Sequence, residues 1–352
     1  MHTATEADAG IIRDRFHALQ KERPNARARD LADALDLSEG QVVAARCGDG
    51  VARLAPRWHD LLLGLTAVGP VMALTRNEYA VHEKIGTYGN VELSIGTGLV
   101  LDPDIDLRIF FDHWAHAFAV TETRNGQALT SIQVFDRDGT AVHKVYVQGE
   151  TDRSAWDRLV ADLTADDQTP GMAVTPLPPV RRDRPDAHVD AEALRGKWRA
   201  LTDTHDFFPM LKDLDVGRVQ AFRLVGREFA EPVGDDAFAV ALHRAAATAV
   251  PIMIFVGNPG VIQIHSGPVG TVREMGEWLN VLDPGFNLHL RTTGVTERWL
   301  VRKPTSDGIV TSLELFDANG RQIAWMFGQR KPGVPERTEW RVLAESLAKA
   351  AA

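Results

Sequence analysis

The chain is written twice. "LTSIQVFDRDGTAVHKVYVQ" (129–148) returns as "VTSLELFDANGRQIAWMFGQ" (310–329), and "LVLDPDIDLRIFF" (99–111) returns as "NVLDPGFNLHLRT" (280–292), both at an offset of 181 residues. A looser match joins "LADALDLSEGQVVAARCG" (31–48) to "FPMLKDLDVGRVQAFRLVG" (208–226). Such self-similarity means one structural unit used twice. Each copy of the 129–148 motif alternates apolar and polar residues around Asp-Gly or Asn-Gly, the signature of a strand, a turn and a second strand. Each half therefore reads as helices followed by alternating strands, which predicts an α+β fold of two duplicated halves, each with a large antiparallel sheet. The segment 164–190, "TADDQTPGMAVTPLPPVRRDRPDAHVD", holds five prolines and reads as an extended connector. The expected division is an N-terminal repeat over 1–165, a proline-rich linker over 166–188 and a C-terminal repeat over 189–352.

Composition removes several function classes. A formal net charge of −9 opposes broad nucleic-acid binding, which needs a positive surface. Cys47 is the only cysteine, so internal disulfides and thiolate clusters are excluded. The N-terminus lacks a basic stretch followed by an apolar run, and no apolar run reaches the roughly 18 residues of a membrane span. The expectation is a cytoplasmic protein, not embedded in a membrane.

The two copies differ where chemistry is expected. In "LTDTHDFFPML" (201–211), His205 falls roughly opposite Arg27, and Arg108 of "DLRIFF" falls opposite His289. Special residues present in one copy only point to one site, not two equivalent ones. Read as a continuous helix, 191–214 places Phe207, Met210, Leu211 and Leu214 on one face and Trp198, Leu201, His205 and Phe208 on nearly the opposite one. Pro209 conflicts with a continuous helix. A break near Thr202–Asp206, with Asp206 capping a second helix and Pro209 in its first turn, resolves the conflict and sets His205 at a junction among large apolar residues. Two readings stay open: a packed core histidine, or a ligand. One histidine cannot build a zinc site, but it can supply one axial bond to a haem iron.

The strings "RNEYAVHEK" (76–84), "DLRIFFDHWAHAFAV" (106–120), "WRALTDTHDFF" (198–208), "VQAFRLV" (219–225), "RWLVRKPT" (298–305) and "LELFDANGRQIAWMFGQRKPG" (313–333) resemble the bacterial cytoplasmic haem-trafficking proteins, the HemS/ChuS/PhuS/HmuS group of hemin-degrading factors. The resemblance runs nearly end to end. It implies one haem per chain in a cleft between the halves, with His205 as the axial ligand of the haem iron. It implies Arg108 on the distal side, as the candidate catalytic residue, with Phe110 beside it. Arg218, Lys303 and Arg330 match positions that hold the propionates and line the cleft, and Phe255 matches an aromatic wall. Trp325 and Phe327 stand where some relatives carry glutamine and tyrosine, so the C-terminal wall is expected to make fewer polar contacts. As single residues, both read as inward-facing strand aromatics. The implied partners are haem, a haem importer on its cytoplasmic side, and a haem oxygenase or a reductase. The resemblance covers both a carrier that receives and passes on haem and an enzyme that opens the ring by an oxygenase-like or reductive route, and the residues do not separate these.

Other motifs carry less. His82, His113 and His116 invite a metal cluster, but 106–120 reads as strand, where positions three apart face opposite ways. "SIGTGLVL" and "VGNPGV" lack the pattern of a phosphate-binding loop and read as turns.

Overall fold

The structure is a computed structural model and describes residues 6–24, 26–124, 126–178, 182–331 and 333–350. It is α+β with antiparallel sheets and divides into two compact units. One comprises Met1–Arg76, Glu83–Pro178 and Asn258–Gln263, and the other Asn77–His82, Pro179–Gly257 and Ile264–Ala352.

In the first unit, five antiparallel neighbours run in the order Val51–Leu54, His116–Arg124, Gln127–Phe135, Ala141–Val147, Val71–Arg76. A second antiparallel set is Val91–Leu93, Thr97–Leu101, Asp106–Phe110. The helices Trp58–Leu65 and Arg153–Leu163 bury Leu62, Leu65, Trp156 and Leu159 against Ile132, Val134 and Val145. On alternate strand positions, Phe118, Val120 and Phe135 meet Val43 and Ala44 of the helix Glu39–Ala44. Both faces of this sheet are therefore covered.

The second unit repeats the plan: Ala230–Pro232, Glu297–Thr305, Gly308–Phe316, Gln322–Gly328, Ile252–Asn258 are neighbours in that order, and Val272–Met275, Trp278–Asp283, Phe286–Arg291 form the second set. Strands that begin at Val71, His116, Gln127 and Ala141 begin again 181 residues later, at Ile252, Glu297, Gly308 and Gln322. The turns between the paired hairpin strands place Gly139 at φ 82° and Gly320 at φ 70°, where a side chain would be strained.

The expected order of helices first and strands after is too simple. Each repeat also has a helix amid its strands, Trp58–Leu65 or Ala237–Thr248, and closes on one, Arg153–Leu163 or Thr338–Ala350. These helices cover the leucine-rich sheet face. In the second unit that face presents Leu300, Leu313, Leu315, Met326 and Ile254 to Leu242, Trp340 and Leu347.

Candidate functional site

The opposite face of the second unit's sheet has a different chemistry. Because side chains alternate along a strand, Trp299, Val301 and Lys303 share this face with Ser312, Glu314 and Phe316, then Trp325 and Phe327, then Phe255. The register supports the grouping, pairing Trp299 with Glu314, Glu314 with Trp325, Ser312 with Phe327 and Phe255 with Trp325. At one end, Trp299, Val301 and Phe316 pack beneath Trp198, Leu201, Phe207 and Phe222 of the preceding helices. At the other end the aromatic side chains are only half-buried. There Phe255 stacks on Trp325, with centroids 5.4 Å apart and planes 17° apart, and meets Phe327 edge-on at 5.1 Å. Trp325 and Phe327 thus point where the strand alternation places them, and extend an apolar wall with Phe255.

Lys303, Arg218 and Glu314 form one buried ionic knot in this face. Glu314 is fully buried and accepts from Arg218 Nε (2.8 Å) and a terminal guanidinium nitrogen (3.0 Å), from Lys303 Nζ (2.7 Å) and from Gln322 Nε2 (3.0 Å). Burial alone would raise its pKa, but Arg218 and Lys303 hold it ionised far below the usual carboxylate range. Burial, with Arg218 nearby, pushes Lys303 down to about 8 against the opposing pull of Glu314. Both cations lie over the ring of Phe207, Lys303 Nζ at 4.7 Å and the Arg218 guanidinium at 5.0 Å. Two residues expected to meet haem carboxylates therefore already share an internal carboxylate, and the knot retains one net positive charge. Arg330 is held on Asp307 at 3.2 Å, and its Nε is buried without a hydrogen-bond partner among the described residues.

His205 is not among large apolar residues. The helix Ala191–Arg199 stops before it, the single turn Thr204–Asp206 holds it, and the helix Phe207–Asp213 follows with Pro209 in its first turn. The break at the junction falls where Pro209 requires it, but Asp206 makes no side-chain cap; Asp203 instead accepts the backbone N–H of His205. Of the four residues expected on one apolar face, Trp198 and Leu201 turn into the core, while Phe208 and the side chain of His205 are 69% and 88% exposed. The chain can separate them because no continuous helix imposes a common face.

Asp203 Oδ1 accepts both from the His205 backbone N–H at 2.8 Å and from its Nδ1 at 2.7 Å. A carboxylate only accepts, so Nδ1 carries a proton, and the neutral form of this ring has its lone pair on Nε2. The His205 backbone N–H, then its ring and Arg330, hold the Asp203 carboxyl below its usual range. With Nδ1 engaged and the side chain 88% exposed, Nε2 is the atom left to take a metal.

Arg108 and Phe110 belong to the first unit, on the strand Asp106–Phe110. Arg108 is part-exposed and donates to Asp106 and to Leu107 O (3.2 Å), and Phe110 is 36% exposed. The other histidines divide. His113 stands in the turn Phe111–His113, not in a strand, and its Nδ1 meets Asp136 at 2.9 Å; His116 begins the next strand. Among the described residues no group of three or more His, Cys, Asp or Glu could hold a metal ion. Fully buried His143 bridges Thr75 Oγ1 (2.9 Å) and the Tyr88 hydroxyl (2.6 Å), and burial pushes its pKa down to about 3.

Sequence reasoning missed Glu314 and a second buried carboxylate, Glu39, in the first unit. Glu39 opens the helix Glu39–Ala44 as Arg218 opens Arg218–Val225, each just after an aspartate at positive φ, Asp36 or Asp215. Buried Glu39 accepts from Lys144 and Arg76, which bring it to about 2 against the effect of burial. The same place in the repeat thus carries opposite charges. An isolated Glu, Asp or Gln on a strand gives no sequence signal of this. Asp203 had one: a carboxylate two residues before a histidine at a helix break.

Fold and site together define a duplicated α+β protein in which the second unit alone carries a tethered, exposed histidine. Comparison with known proteins narrows the class. The haemin-degrading HemS/ChuX domain family matches residues 36–163 and 215–347. The hemin transport protein HmuS of Yersinia pestis is 44% identical over 324 residues, covering 91% of this chain and 92% of HmuS. The crystal structure of holo-PhuS, a heme-binding protein from Pseudomonas aeruginosa, superposes with a TM-score of 0.94 at 48% identity, covering 96% of this chain and 99% of that one. The Escherichia coli O157:H7 heme-degrading enzyme ChuS superposes with a TM-score of 0.90 at 39% identity, with the same coverages. The chain belongs to the HemS/ChuX haemin-degrading family. No helix among its described residues is long and apolar enough to cross a membrane.

Proposed function

We propose that this chain binds one haem per molecule through His205 and serves a haem-uptake system in the cytoplasm, receiving imported haem and passing it on or opening it to release iron. The observation that carries this reading is the state of His205: exposed, with Nδ1 tied to Asp203 and Nε2 left as the electron-pair donor. Haem fits the surrounding residues. Its ring edge suits the half-buried wall of Phe255, Trp325 and Phe327, and its carboxylates suit a face that carries Arg330, with its orphan Nε–H, and the net charge of the Arg218–Lys303–Glu314 knot. In this reading the knot acts as a fixed positive centre, and Arg330, paired to Asp307, adds a further guanidinium. The distal role of Arg108, with Phe110 beside it, rests on resemblance alone.

When bound, haem supplies iron redox chemistry; the protein supplies binding, orientation and charge. A relative's name supports each role: HmuS is called a transport protein and ChuS a heme oxygenase. The tethered histidine serves both, and the partners in this reading are a haem importer on its cytoplasmic side and a haem oxygenase or a reductase. The discriminating experiment titrates hemin to saturation, adds a reductant with and without catalase, and identifies products by mass spectrometry. Saturation at one hemin per chain supports the binding reading, and saturation at none overturns it. Ring-opened product that survives catalase assigns degradation, whereas intact haem that transfers to an apo-haem oxygenase assigns carriage.

A further inference from the structure

We infer that Asp203 is a positioning residue for the haem iron: it acts through His205, making the imidazole a more anionic ligand and biasing bound iron toward the ferric state. This rests on the proposed function above. The geometry is specific. One carboxylate oxygen, Oδ1, holds both the backbone N–H of His205 (2.8 Å) and the ring Nδ1 (2.7 Å), so one atom fixes the turn and the tautomer together. A helix-capping role needs only the first bond. The second fixes a ring that is 88% exposed, whose orientation burial does not set.

The chemistry follows from which atom is engaged. A carboxylate accepting from Nδ1–H draws the proton toward itself and raises electron density at Nε2, which strengthens donation to a cation. A ferric centre carries one more positive charge than a ferrous one, so it gains more from a richer donor. In the ligand-free protein the pair is bathed in water and its coupling is weak. A flat apolar ligand seated on Nε2 lowers the local dielectric and strengthens the pair. Asp206, the neighbouring carboxylate, accepts from Thr202 Oγ1 at 3.5 Å and offers a matched control on the same turn.

The test compares wild type, Asp203→Asn, Asp203→Glu and Asp206→Asn as full chains. Hemin affinity is measured in ferric and ferrous forms, with the midpoint potential and the ferrous iron–imidazole stretching frequency. Loss of an outer hydrogen-bond partner of this kind costs about 10–100-fold in metal affinity. The asparagine variant keeps an oxygen for the backbone N–H and loses the charge. It is expected to lose about tenfold more affinity for ferric than for ferrous haem, which is a rise of about 59 mV in potential for a one-electron couple, and to lower the stretching frequency. Asp203→Glu is expected to fall between, and Asp206→Asn to match wild type. If Asp203→Asn weakens both oxidation states equally, or leaves potential and stretch where they were, Asp203 is a turn residue only and the inference is overturned. Failure of the underlying reading looks different: His205→Ala then keeps the wild-type hemin spectrum.

Discussion

Replacing Glu314 with glutamine removes the charge that balances Lys303 and Arg218 while keeping the side chain's shape. The consequences for the two cations differ. Arg218 is 25% exposed and can turn to water, whereas the Lys303 side chain, 4% exposed, cannot. Breaking a buried pair and leaving one charge uncompensated costs about 3–5 kcal/mol. For a unit of this size each kcal/mol moves the melting temperature by about 2–4 °C, so Glu314→Gln is expected to melt roughly 6–20 °C lower at pH 7. The loss should also depend on pH. Lys303 already titrates near 8, below its unfolded value of 10.5, because of burial, so the unfolded chain binds more protons between those values and stability rises with pH there. Without Glu314 its pKa falls further, the window opens below pH 8, and the mutant's deficit narrows as pH rises toward 8. Lys303→Met in the same chain removes the stranded charge and is expected to recover most of the loss. Thermal melts followed by circular dichroism from pH 6 to 9 on the two single variants and the double variant form the assay. A Glu314→Gln deficit below about 1 kcal/mol, or one that neither varies with pH nor shrinks with Lys303→Met, would refute the reasoning, since the knot would then be screened like a surface pair.

Three further outcomes follow from named contacts. His143 titrates near 3 when folded and 6.5 when unfolded, so its contribution is full above pH 6.5 and is lost as pH falls toward 3, by up to about 5 kcal/mol; His143→Gln should flatten that part of a stability-versus-pH curve. Phe255→Ala removes one member of the half-buried aromatic wall and is expected to weaken hemin binding about 10–100-fold, the worth of a buried aromatic contact, with a small change in melting temperature; an equilibrium titration measures both the loss and its absence. Arg108→Ala is expected to change the coordination spectrum of the hemin complex while the protein stays folded, and an unchanged spectrum would end the distal assignment.

The repeated strands were legible because strand alternation and Asp-Gly or Asn-Gly turns are local, and a second copy at a fixed offset confirmed each. The break before Phe207 was legible for a similar reason: Pro209 cannot sit in the interior of a helix. What lay hidden depended on pairings between distant positions. Glu314 meets Arg218 across 96 residues, and Glu39 meets Lys144 across 105. Nothing in a strand's own pattern says that its one acid will be buried between two cations. The resemblance drew attention to Arg218 and Lys303 but passed over the carboxylate that occupies them. His205 departs most from expectation: the continuous and the broken helix both predicted large apolar neighbours, and the structure leaves its side chain 88% exposed. It stands in solvent, with an aspartate on one ring nitrogen.

Haem binding through that exposed histidine is tested by one titration. Hemin added to wild type should give a saturable Soret band at one equivalent, and His205→Ala, which removes no buried contact and should melt within about a degree of wild type, should lose that band's position and most of the affinity. An alanine variant with the wild-type spectrum and wild-type affinity would contradict the assignment of His205 as the axial ligand.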